Sequence, residues 1–132
     1  MDSSADMISD FRTGNSGDFF ASDGWTNDSP FDCWWYKRNA QIKGDHLELS
    51  VDQKWTNDRN PNWDPHYSGG EYRTNNFYHY GYYECSMQAM KNDGVVSSFF
   101  TYTGKSDGNP WDEIDIEILG KDTTKVQFNY YT

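Results

Sequence analysis

The sequence has little leucine: only Leu47, Leu49 and Leu119 occur among 132 residues. A helical bundle or coiled coil builds its apolar stripe from Leu and Ala, so this scarcity argues against one. Long hydrophobic runs are also missing. No stretch approaches the ~20 apolar residues of a membrane-spanning helix, and no charged segment followed by an apolar one opens the sequence, which reads as a soluble, mature or trimmed chain. Positive charge is scarce: 11 Lys and Arg stand against 21 Asp and Glu, for a net charge of −10. A phosphate backbone or an anionic membrane surface would repel such a chain, so neither nucleic acid nor membrane is expected as a partner. Cysteine is limited to Cys33 and Cys85. Neither lies in a C-x-x-C or Cys/His cluster of metal-site spacing, and the pair leaves two alternatives open, one bridge or two buried free thiols.

What is present is aromatic. Eight Phe, six Trp and ten Tyr suit the pleated, half-buried surface of a sheet. They also argue against disorder despite a mean hydropathy of −1.01, because disordered chains lack them. The length fits one all-β domain. Isolated rings before residue 30 read as a strand or two. Cys33 to Tyr36, then Ala40 to Ile42 and His46 to Val51 around the turn Lys43-Gly44-Asp45, read as strands. Thr56 to Gly70 holds enough Asn, Asp, Pro and Gly to read as a long surface loop, carrying Trp63, His66 and Tyr67. Further strands are predicted over Glu71–Thr74, Gly81–Met87, Val95–Tyr102, Trp111–Leu119 and Lys125–Tyr131. Their number and spacing indicate a sandwich or barrel.

The most informative stretch is Trp111-Asp112-Glu113-Ile114-Asp115-Ile116-Glu117-Ile118-Leu119. Strand side chains alternate faces, so Glu113, Asp115 and Glu117 share one face, and Ile114, Ile116 and Ile118 form an apolar core face on the other. Same-face neighbours lie ~6.5 to 7 Å apart, close enough for like charges to raise at least one pKa and separate an acid from a base. A solvated acidic face is the plainer reading of the alternation. Glu71, Arg73, Phe100, Tyr102, Trp111, Asn129 and Tyr131, at even spacings on neighbouring strands, favour the other. Rings that stack on sugar faces beside paired carboxylates describe a glycosidase cleft. His46, His66 and His79 are expected as surface or packing residues.

The run Asp112 to Gly120, with Ser97–Gly104 before it and Gly120–Thr132 after it, resembles glycoside hydrolase family 16, and within it the bacterial lichenases, the endo-β-1,3-1,4-glucanases. A looser likeness runs upstream through Gly81–Glu84, Glu71–Asn75 and Trp25–Asn27. The resemblance implies a two-sheet antiparallel β-sandwich, the concanavalin-like jelly roll. Residues 1–132 would then be the N-terminal part of one catalytic domain, including the catalytic strand 111–119. It implies Glu113 as nucleophile, Glu117 as general acid/base and Asp115 as the residue between them that tunes their protonation. Asn27, Glu71, Arg73, Phe100, Tyr102, Trp111, Asn129 and Tyr131 would line the sugar subsites. The expected activity is retaining, endo-acting cleavage of β-1,4 bonds adjacent to β-1,3 bonds in mixed-linkage β-glucan by a secreted enzyme that needs no cofactor. A sibling activity on xyloglucan or laminarin, or a lectin-like jelly roll that binds glucan without cutting it, is the alternative. The unbulged Glu-Ile-Asp-Ile-Glu argues against laminarinases, which usually insert one residue.

Two departures accompany the resemblance. Family domains continue past the position of Thr132 with strands, subsite rings and a ligand of a structural calcium, so a fragment, a processed chain or one partner of a two-chain or self-associated assembly is expected, truncated at the C-terminus. In Bacillus-type relatives the cysteine matching Cys33 is bridged to one where this chain has Gly69-Gly70, so that disulfide cannot form here, and the loop from Thr56 is longer.

Overall fold

The computed structural model describes residues 7–14, 17–55, 57 and 61–132. They form two compact units, one ending at His79 and one running from Tyr80 to Thr132. Both are built from strands and short 3-10 turns. Among the described residues no helix is long and apolar enough to cross a membrane.

In the first unit, β1 (Phe19–Ala21) is followed by β2 (Trp25–Thr26), β3 (Cys33–Trp35), β4 (Ala40–Lys43), β5 (His46–Leu49), β6 (Val51–Gln53), β7 (Tyr67–Gly69) and β8 (Tyr72–Thr74). The β4–β5 hairpin turns through Gly44-Asp45, pairing Lys43 with His46. Gly44 takes the positive φ of 63° that a two-residue hairpin with glycine first requires. β1 pairs antiparallel with β8, setting Phe19 opposite Thr74 and Ala21 opposite Tyr72. That register stacks Phe19 diagonally on Tyr72 with centroids 5.3 Å apart, the cross-strand contact that stabilises a short ladder. The largest buried side chains in the core of this unit are Trp34 and Tyr36.

A four-stranded sheet runs β2-β3-β7-β6, antiparallel except for the parallel pair β3–β7. β7 corrects the reading of Thr56–Gly70 as loop throughout. Thr56 and residues 58–60 lie outside the described residues, but Tyr67–Gly69 is an inner strand. Its small residues are there for space: a Cβ on Gly69 would stand 2.3 Å from Cys33 Sγ and 3.3 Å from the Trp35 ring. Breaker composition here marks close packing rather than a turn.

Cys33 and Cys85 are both free. Burial pushes the Cys33 thiol up to about 12, which leaves it protonated and inert at neutral pH, whereas Cys85 is exposed rather than buried. The close approach at Gly69 gives a prediction. In Gly69→Cys the new thiol meets Cys33 after a small rotation, and oxidation should close the intervening loop and stabilise the protein by about 4 kcal/mol. Thiol titration of the unfolded variant, with melting curves in and out of reductant, checks this: one titratable thiol and a reductant-sensitive Tm are expected.

The second unit holds β9 (Val96–Thr103), β10 (Asp112–Leu119) and β11 (Gln127–Tyr131) in the order β11-β10-β9, each within two residues of its predicted start. The strand predicted over Gly81–Met87 is not formed. Residues 81–88 are exposed on both alternating faces and enter no ladder, and alternation without a paired neighbour does not make a strand.

Candidate active site

The site is built on β10. It pairs antiparallel with β9, placing Tyr102 opposite Glu113, Phe100 opposite Asp115 and Ser98 opposite Glu117. On its other side β11 sets Tyr131 opposite Glu113, Asn129 opposite Asp115 and Gln127 opposite Glu117. Residues directly opposite in an antiparallel pair share a face. One face of the sheet therefore carries three carboxylates in a central row, flanked by Tyr102, Phe100 and Ser98 and by Tyr131, Asn129 and Gln127.

Two turns hold this register. After β9, Gly104 N–H donates to Asp107 Oδ2 at 3.1 Å, and Gly108 takes the left-handed conformation at φ 77°. After β10, the Thr124 hydroxyl donates to Asp122 Oδ1 at 2.6 Å. The opposite face is apolar as predicted but is not a buried core: Ile114, Phe128 and Tyr130 are 55%, 70% and 77% exposed. Ile116 and Ile118 beside them are half-buried.

Each carboxylate has its own surroundings. Trp111 stacks on Tyr131, with centroids 4.6 Å apart and planes 9° from parallel, and its indole N–H donates to Glu113 Oε2 at 2.6 Å. Asp115 is 9% exposed. Glu117 Oε2 accepts from Asn129 Nδ2 at 3.2 Å and from Gln127 Nε2 at 3.2 Å. The Glu113 carboxyl is held above its ordinary range. Burial is the main cause; the charge of Asp115, a hydrogen bond with it and the charge of Glu117 act in the same direction, and the Trp111 N–H opposes them. The row is therefore not three equivalent solvated acids. One member is half-buried against like charge, one is nearly enclosed, and one is anchored by amides.

Five of the sugar-binding candidates, Phe100, Tyr102, Trp111, Asn129 and Tyr131, meet the carboxylates on this unit. The other three belong to the first unit. Asn27 Oδ1 accepts from Trp35 Nε1 at 2.6 Å. Glu71 Oε1 accepts from Ser22 Oγ at 2.6 Å and lies 3.7 Å from Arg73 Nε. Glu71 and Arg73 thus form an ion pair with each other. The three histidines are exposed as expected, with His46 beside Asp45 and His66 beside Asp32.

Sequence reading missed Ser98 and Gln127. Both follow from the even spacing that picked their neighbours, two residues before Phe100 and two before Asn129. Among the described residues, no three His, Cys, Asp or Glu converge as a metal-holding cluster.

Residues 27–132 match the family model described as Glycosyl hydrolases family 16. Over its whole length the chain is 83% identical to a xylanase/beta-glucanase of Ruminococcus flavefaciens, of which it spans 16%. It is 53% identical over 107 residues to a beta-glucanase of Acetivibrio thermocellus, covering 81% of this chain and 30% of that protein. Among solved structures, a prokaryotic beta-1,3-1,4-glucanase (lichenase) derived from a mouse hindgut metagenome is 48% identical, with a TM-score of 0.83 over 94% of this chain and 56% of that one. The Bacillus licheniformis beta-glucanase is 46% identical, with a TM-score of 0.77 over 92% and 54%. The chain spans less than two thirds of the length of each of these relatives. Its all-β fold is theirs over the shared part, as expected from the sequence. With the carboxylate row of β10 inside the matched region, the chain belongs to glycoside hydrolase family 16.

Proposed function

We propose that the protein is a retaining endo-β-1,3-1,4-glucanase, cutting β-1,4 bonds that adjoin β-1,3 bonds in mixed-linkage β-glucan. The observation that carries this is the single face on which β9, β10 and β11 assemble three unlike carboxylates with Trp111, Tyr131, Tyr102 and Phe100. Aromatic planes suit the flat faces of glucose rings, and paired carboxylates suit cleavage through an oxocarbenium-like transition state.

In this reading the Glu113 carboxylate attacks the anomeric carbon while Glu117 gives its proton to the departing glycosidic oxygen. Glu117 then takes a proton from water, which displaces Glu113 from the sugar. Asp115 tunes Glu113 through its charge and their shared hydrogen bond. Glu113 and Glu117, four residues apart, have Cα atoms ~13 Å apart along a strand. Their side chains must lean together to reach the ~5 to 5.5 Å of a retaining pair. The family resemblance is what supports a sugar-binding role for Asn27, Glu71 and Arg73 as well. A polymer of this size cannot cross a membrane, which fits a secreted enzyme. The name of the Ruminococcus relative carries two activities, but this stretch also matches proteins named beta-glucanase alone, so xylan is not expected as a substrate.

The test is sugar release from barley β-glucan and lichenan beside laminarin, xyloglucan and xylan, with the anomeric form of the first product read by NMR. Cleavage of the two mixed-linkage glucans with β-anomers released first is expected. Glucan binding without cleavage would establish the lectin-like alternative. Laminarin or xyloglucan cleaved in preference would establish a sibling activity, and α-anomers would overturn retention.

The pH dependence follows from Glu113. It must be ionised to attack, and its pKa is raised, so the acid limb of kcat/KM should lie above the ordinary carboxylate range. Asp115→Asn removes one charge that raises it and should move that limb to lower pH, as a pH profile of both forms would show.

A further inference from the structure

We propose that Gln127 is a positioning residue for the acid/base Glu117, an assignment that rests on the hydrolytic reading above. Gln127 stands directly across the β10–β11 ladder from Glu117, and its Nε2 donates to Glu117 Oε2 at 3.2 Å. Asn129, one same-face step further along β11, donates to the same oxygen at 3.2 Å. Two amides from one strand thus converge on one carboxylate oxygen.

The geometry answers a need. Glu117 hangs on a flexible side chain with Asp115 two residues before it on the same face, and like charge would push its carboxylate away from the row. Two hydrogen bonds from an adjacent strand fix it against that repulsion. Both fall on Oε2, which leaves Oε1 to carry the proton delivered to the leaving oxygen. Ser98, opposite Glu117 on β9, has a side chain too short to do the same, so the anchoring comes from the β11 side. An amide suits the task, because it donates without titrating and without a charge that would compete for the proton.

The experiment uses two substrates on Gln127→Leu and the unaltered protein: mixed-linkage β-glucan, whose sugar leaving group needs a proton, and a 2,4-dinitrophenyl oligoglucoside, whose leaving group does not. With the anchor removed, kcat on β-glucan should fall about tenfold, the loss of one hydrogen bond to a charged group, with KM little changed. The dinitrophenolate burst of the first step should keep its rate. Gln127→Glu, with an acceptor in place of the donor, should not restore β-glucan turnover.

Equal losses on both substrates would show a general structural role, and a KM rise alone would make Gln127 a sugar contact. Unchanged kinetics would remove it from the site. Each of these overturns the assignment while the hydrolytic reading stands. Failure of the unaltered protein to cleave either substrate would overturn both.

Discussion

Replacing Glu113 with Gln is expected to lower kcat/KM on mixed-linkage β-glucan by about 10⁴-fold or more, roughly 5 kcal/mol of transition-state stabilisation. The amide keeps the size of the side chain, and its carbonyl oxygen can still accept the Trp111 N–H that now reaches Glu113 Oε2. What it loses is the negative charge that makes the oxygen a nucleophile in the proposed mechanism, so attack on the anomeric carbon is expected to fail. Retained activity would hand the nucleophilic role to another carboxylate.

The same variant makes a stability prediction of the opposite sign. Glu113 titrates above its ordinary 4.5 because folding sets its charge against burial and against Asp115 and Glu117. A carboxyl whose folded pKa is raised binds its proton more tightly in the native state, so its stabilising share is complete below the unfolded value and is lost as pH rises through the folded one. At pH 7 the uncharged Gln should therefore melt higher than the parent, modestly because Glu113 is only half-buried, and below pH 4.5 the two curves should converge. Thermal melts at the two pH values decide it, and a lower Tm for the variant at pH 7 would mean that Glu113 holds the sheet together as well as reacting.

A large loss of stability is expected at Gly120, which directly follows β10. A Cβ there would stand 2.0 Å from the Asn92 carbonyl oxygen and 2.9 Å from its carbon. Both are backbone atoms that cannot swing aside. The Gly120 N–H is meanwhile held to the Val95 carbonyl at 2.8 Å, so the strand end cannot retreat either. Gly120→Ala should cost about 3 kcal/mol, near the upper end for overpacking, read as a lower urea midpoint at unchanged slope. Activity should fall with the folded fraction while the folded molecules keep their kcat. Gly70→Ala is the counterpart in the first unit, where the new Cβ would lie 2.1 Å from the Asn39 carbonyl oxygen, and a comparable loss is expected.

The sequence was most legible where one strand does two jobs. β10 alternates acid and isoleucine without interruption, so period alone sets the carboxylates on one face, and even spacing on β9 and β11 collects most of their neighbours. Gly44-Asp45 was equally readable, because few residues other than glycine take its backbone angles. β7 was not: Tyr67-Ser68-Gly69 has the composition of a turn, and only the thiol of Cys33 and the ring of Trp35 explain why nothing larger fits. The segment 81–88 erred the other way, with good strand residues that enter no ladder. Even spacing back from Asn129 reaches Gln127, but its pairing with Glu117 is a matter of register, a property of two strands that no single segment displays.

The opposed chemistry of the two faces of β10 also sets how this strand can change length. One residue inserted between Glu113 and Glu117 would turn every later side chain over, sending Glu117 to the face of Ile114 and Phe128 and lifting an isoleucine among the carboxylates. Only an insertion absorbed as a bulge escapes this, since it leaves the extra residue unpaired and returns the following ones to their faces. Substitutions can be made along the strand one position at a time, whereas a change in length is expected to be tolerated only as a bulge or in the turns at 104–111 and 120–126.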